Sequence, residues 1–71
     1  MRLFFDVYRE DTRSYDYHGR EFSRPEQATQ VAELIAADLA CSENDKWVGA
    51  QVQVRSAAGE MLFAVPVLAA A

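Results

Sequence analysis

From Glu26 to Ala40, apolar residues fall at 28, 31, 32, 35 and 39, while Gln30, Glu33 and Asp38 lie outside that stripe. This is the one-sided spacing of an amphipathic helix. The rest of the 71-residue chain reads as extended. One helix with one apolar stripe can cover only one face of a sheet, which makes the fold class α+β and leaves the other face to its own side chains. The helix is expected near residues 24–41. "SRPE", residues 23 to 26, has the spacing of a capping box, in which Ser23 accepts from the Glu26 N–H and the Glu26 carboxylate reaches back to the Ser23 N–H. Pro25 sits in the first turn, where its missing donor is not needed. The Ser, Asn and Asp of "CSENDK", residues 41 to 46, compete for backbone hydrogen bonds and should stop the helix.

Ahead of the helix, Leu3, Phe5 and Val7 alternate with Phe4, Asp6 and Tyr8, a first strand near 2–8 with both faces partly covered. "REDTR", residues 9 to 13, is a hairpin connection into a shorter, less apolar strand near 13–17. After the helix, Val48, Ala50, Val52 and Val54 alternate with Gly49, Gln51, Gln53 and Arg55, giving a strand near 47–55 with one buried face. Its partner runs near 60–66 and ends, or lies at an edge, at Pro66, which has no N–H for the ladder. Asp16-Tyr17-His18-Gly19 and Ser56-Ala57-Ala58-Gly59 both have the residue types of type I turns, and each is expected to reverse the chain. The result is one domain, 1–71, with the order ββαββ. A four-stranded antiparallel sheet in the order 2-1-3-4 is favoured, because it makes the apolar first strand central. The tail "LAAA" carries no pattern.

Eleven acidic against seven basic residues give a net charge of −4, which repels phosphate backbones and makes nucleic acid an unlikely partner. The segment Arg13 to Arg24 holds three arginines but also Asp16 and Glu21, so it is mixed rather than basic. No apolar run is long enough for a membrane span or a signal peptide, and the expectation is a soluble cytoplasmic protein. Cys41 is the only cysteine. It excludes an internal disulfide, and with one histidine it cannot complete a four-ligand zinc site. A chain this short buries only about 60% of its unfolded surface. Self-association as a homodimer, or binding to another protein, is the stabilising device left to it.

The lone histidine, His18, stands between Asp16, Arg20 and Glu21 in "DYHGREF", residues 16 to 22. Imidazole and carboxylates suit a metal or acid–base pair, but a central turn position points His18 to solvent. Asp6 is the more unusual acid, because a carboxylate in a central strand needs a partner. Arg55 or Arg13 can supply it across the sheet. Phe4, Asp6, Tyr8, Tyr15 (or Tyr17) and Trp47 are the candidate interaction surface on the uncovered face, with a plain core role as the alternative for Trp47. Cys41, at the far end of the helix, reads as a small structural residue. No catalytic residue, metal site or cofactor is expected.

Four short patterns, "LFFDV" (3 to 7), "DYHGREF" (16 to 22), "PEQATQVAELIAADLA" (25 to 40) and "WVGAQVQVRSAAGEMLFAVP" (47 to 66), span nearly the whole chain. On them it resembles a family of short, uncharacterised bacterial proteins classed as a domain of unknown function. The resemblance implies the ββαββ arrangement and brings no activity or site residue with it. The expected function is a non-enzymatic interaction or regulatory module acting through its sheet face or an edge. An antitoxin-like regulator and a weak nucleic-acid or small-ligand binder are the alternatives.

Overall fold

A computed structural model describes residues 1–42 and 46–69. The elements are β1 (Arg2–Arg9), β2 (Thr12–Ser14), β3 (Arg20–Glu21), α1 (Gln27–Ala40), β4 (Gln51–Ser56) and β5 (Met61–Pro66). All strand pairs are antiparallel in the order β2-β1-β4-β5, with β3 also on β1. The apolar first strand is central and one helix lies on one face. The sheet therefore has five strands where four were expected.

The extra strand corrects the reading of "DYHG". Val7 pairs with Ser14 and Leu3 with Arg20, so three β1 residues face five residues of the opposing edge. Both flanking segments run antiparallel to β1. The Asp16–Gly19 segment is thus a bulge that splits one edge strand into β2 and β3, not a chain reversal. The predicted strand 13–17 gives way beyond Ser14 because Asp16 satisfies local N–H groups with its side chain: its Oδ1 accepts from His18 N–H at 3.0 Å and from Gly19 N–H at 3.2 Å. "SAAG" does reverse the chain. Gly59 N–H donates to Ser56 C=O at 2.9 Å, with Gly59 at φ +88°.

The capping box does not form. The helix begins at Gln27, and it is the Gln27 Oε1 that accepts from the Ser23 and Arg24 N–H groups, at 3.0 and 3.3 Å. Its buried residues are Ala28, Ala32, Ala36 and Ala40, a four-residue spacing of one small side chain that lets the helix lie close on the sheet. Val31, Ile35 and Leu39 flank that stripe and pack on the core edge. The helix ends at Ala40, immediately before the expected stop at 41–46, of which residues 43–45 lie outside the described residues. The expected strand 47–55 starts only at Gln51, because Trp47–Gly49 form a turn: Ala50 N–H donates to Trp47 C=O at 3.0 Å and Gly49 takes φ +93°. Tail residues 70 and 71 are likewise not described.

Leu3, Phe5, Val52, Val54 and Val67 complete the core against the alanines, with Phe22 edge-on to Phe5 at 6.0 Å between ring centroids. Among the described residues, no helix is long and apolar enough to cross a membrane.

Candidate interaction face

Strand alternation divides β1 and β4 into two sets. Leu3, Phe5, Val52 and Val54 face α1, which leaves Phe4, Asp6, Tyr8, Gln51, Gln53 and Arg55 on the helix-free face. Asp6 is fully buried there, opposite Gln53. A carboxylate so placed is stable only if its lone pairs are filled and its charge is matched, and both conditions are met. Arg55 Nε donates to Asp6 Oδ2 at 2.8 Å and Arg55 Nη2 to Oδ1 at 3.3 Å. Oδ1 also accepts the Asp16 N–H at 3.0 Å, and the Arg13 guanidinium stands 3.7 Å from Oδ2. The sequence named Arg55 or Arg13 as the partner; the fold uses both.

Asp16 mirrors this arrangement. Its Oδ2 accepts the Phe5 N–H at 3.2 Å, filling a ladder position that the bulge leaves without a facing carbonyl. Its own C=O accepts from Arg55 Nη2 at 3.1 Å. Burial alone raises both carboxyl pKa values; the Arg55 hydrogen bond and Asp16 N–H at Asp6, and the Phe5, Gly19 and His18 N–H groups at Asp16, outweigh it and hold both below the ordinary Asp value. Arg55 is pushed upward, first by its bond to Asp6.

Above the buried carboxylate the cations lie against rings. Arg55 is 4.7 Å from the centroid of Phe4 and 5.9 Å from that of Tyr15, and Arg13 is 5.2 Å from Tyr8 and 5.7 Å from Tyr15. Tyr15 is half exposed and crowns the cluster. Asp6 thereby anchors two guanidiniums, and the guanidiniums hold three aromatic rings in place.

Of the predicted surface residues, the structure brings Phe4, Asp6, Tyr8 and Tyr15 together. It does not bring Trp47, which packs half-buried against the helix-side core with Lys46 5.5 Å over its ring. The core alternative for Trp47 is the one observed, because the Trp47–Gly49 turn takes it out of the strand alternation that would have placed it on the helix-free face. Tyr17 is exposed beside Tyr15. His18 is exposed and contributes backbone only: its C=O accepts from Arg2 Nη1 at 2.6 Å. Among the described residues no three His, Cys, Asp or Glu side chains converge as metal ligands would.

Sequence reasoning missed the roles of Asp16 and Gln53. Asp16 was visible as a turn former and as a carboxylate beside His18, not as a hydrogen-bond partner of β1. Gln53 is buried, with its Nε2 on Gln51 Oε1 at 3.3 Å and its own Oε1 without a partner among the described residues.

The chain belongs to a family described as a domain of unknown function (DUF6894), matched over residues 2–69. No curated protein and no solved structure matches it.

Proposed function

We propose that this domain is a non-enzymatic protein-interaction module that docks a partner protein on its helix-free sheet face. The observation that carries the proposal is the cluster of Arg13, Arg55, Phe4, Tyr8 and Tyr15 held over buried Asp6. Arg and Tyr are the residue types that dominate binding hot spots, and anchors immobilised beforehand lose less entropy on association. Asp6 supports this reading against a catalytic one, since its lone pairs are spent on Arg55 and the Asp16 N–H. The cytoplasm, where a free Cys41 stays reduced, is the proposed location.

The test is quantitative cross-linking in the source cells with wild-type protein and with Tyr15→Ser and Arg13→Gln, whose side chains are partly exposed. A specific cross-linked partner should be lost in both variants while their circular dichroism stays unchanged. Equal recovery of the same partner with all three proteins sinks the proposal. The stacked tyrosines and arginines also favour a second reading, weak binding of single-stranded nucleic acid. That reading requires an affinity for an oligonucleotide that survives physiological salt.

A further inference from the structure

The two guanidiniums over Asp6 are not used alike. Arg55 directs Nε and Nη2 at the Asp6 carboxylate, and Nη2 also at the Asp16 C=O. Arg13 stands 3.7 Å from Asp6 Oδ2, an oxygen that already accepts from Arg55 Nε at 2.8 Å, and its guanidinium makes no hydrogen bond among the described residues. The Tyr8 and Tyr15 rings, 5.2 and 5.7 Å from its Cζ, hold it in place. A fixed fork of N–H donors is thus left open on a restrained, partly exposed cation. Depth sets the sign of what a partner meets. The Asp6 side chain is fully buried, whereas those of Arg13 and Arg55 are 32% and 22% exposed, so the carboxylate lies beneath its cations. The Asp16 carboxylate is committed to the backbone N–H groups of Phe5, His18 and Gly19. The outward layer of the cluster is therefore cationic and aromatic, on a chain whose net charge is −4. Glu10 and Asp11, exposed in the turn next to the Tyr8–Arg13 pair, keep that cationic spot narrow. A polyanion meets this acidic rim and the net charge, whereas a single carboxylate meets the spot alone.

Toward β5 the same face turns apolar. Ala64 lies opposite Gln53 and Met61 opposite Arg55, so both share the helix-free side, and Met61 is 56% exposed. β1 and β5 are two strand spacings apart, about 10 Å, which an extended peptide spans in about three residues. Between them Gln53 keeps a buried Oε1 without a partner among the described residues, an acceptor that a crossing main-chain N–H satisfies once the amide turns outward. We propose that the partner of this face is an acidic peptide segment: an Asp or Glu carboxylate takes the open fork of Arg13, and an apolar side chain about three residues along rests on Met61. This assignment rests on the reading that the helix-free face docks a protein, and adds the chemistry which that protein presents there.

NMR titration of the isotope-labelled domain tests the proposal, with the end-capped peptide Ser-Glu-Ser-Ser-Leu-Ser as probe and copies carrying Gln or Lys in place of Glu. At low salt the Glu peptide should bind about tenfold tighter than the Gln peptide, and the Lys peptide weakest. The Glu peptide alone should shift the Arg13 Nε–H signal, and added salt should shrink its advantage. Arg13→Gln should abolish the advantage with unchanged circular dichroism, and Arg13→Lys, which keeps the charge without the fork, should retain part of it. Equal binding of the Glu and Gln peptides overturns the proposal, as does an advantage that survives Arg13→Gln. Displacement of the Glu peptide by a thymidine oligonucleotide at physiological salt also overturns it and assigns the cations to phosphate. Equal binding that still disappears in Tyr15→Ser removes the carboxylate but leaves the face a docking surface, whereas binding indifferent to both Tyr15→Ser and Arg13→Gln removes the face itself.

Discussion

Asp6 and Asp16 satisfy each other's strands: the Asp16 N–H donates to Asp6 Oδ1 at 3.0 Å, while Asp16 Oδ2 accepts from the N–H of Phe5, the neighbour of Asp6, at 3.2 Å. This reciprocal pair closes the gap that the Asp16–Gly19 bulge opens in the edge, and Arg55 locks it by bonding to both residues. The interaction face and the edge of the sheet are thus one structure.

Removing Asp6 should be costly because it takes from Arg55, in a half-buried site, the carboxylate to which it is hydrogen-bonded. Asp6→Ala is expected to lower stability by about 3–5 kcal/mol, as breaking a buried pair from one side does. Asp6→Leu combined with Arg55→Met should recover most of that loss. Urea unfolding of the three variants checks it; equal losses for the single and the double replacement would refute it.

Acid should act through the same pair. Both carboxyls have folded pKa values below the ordinary 3.8. A depressed folded pKa contributes stability that is fully present above the unfolded value and is lost as pH falls through the folded value. The melting temperature should therefore hold from neutral pH down to about 5 and then fall steeply below about pH 4. Asp16→Asn should lose stability at pH 7 and show a shallower acid fall than wild type. A parallel acid profile in that variant would remove Asp16 from the account.

Gly19 and Gly59 separate two reasons for glycine. Both have positive φ, +69° and +88°, so alanine strains either backbone by about 1–2 kcal/mol. Only at Gly19 does a Cβ collide, 2.9 Å from Arg2 Cγ and Phe4 Cε2 and 3.0 Å from the Leu3 carbonyl, whereas at Gly59 it meets nothing within 4 Å. Gly19→Ala should therefore cost at least about 1 kcal/mol more than Gly59→Ala in the same denaturation assay. Equal costs would show that the edge can move away from β1.

The alanine stripe predicts a size limit. Ala32 is fully buried beneath the helix, so Ala32→Leu should destabilise by about 1–3 kcal/mol through overpacking despite its good helix propensity. Leu34→Lys, on the exposed side, should change stability by less than about 0.5 kcal/mol. Thermal melts of the pair decide it.

Gln53 runs the other way. With its Oε1 buried and unpartnered among the described residues, Gln53→Met should stabilise the domain by up to about 1 kcal/mol. A loss of that size would mean the amide is satisfied in solution.

Periodicity settled the single helix, the apolar first strand, the closing hairpin and the α+β class, because these features depend on which residues recur on one side of an element. It also exposed Asp6 as a charge needing an arginine, since an acid amid strand residues is anomalous on its own. Local patterns misled where a side chain had two uses. "DYHG" has the composition of a reversing turn, yet β1 offers hydrogen-bond positions to both of its flanks, and the segment bulges instead of turning. "SRPE" has the spacing of a capping box, but Gln27 takes the Ser23 N–H that the Glu26 carboxylate was to reach, together with the Arg24 N–H. Trp47 fits the alternation of the strand that follows, until Gly49 at positive φ breaks it and places the indole on the core. Tertiary structure alone decided that Arg13 and Arg55 share one carboxylate and that Tyr15 crowns them. These residues come from three strands and, in Tyr15, the position between β2 and the bulge, up to 49 positions apart, and no local propensity reaches across that separation.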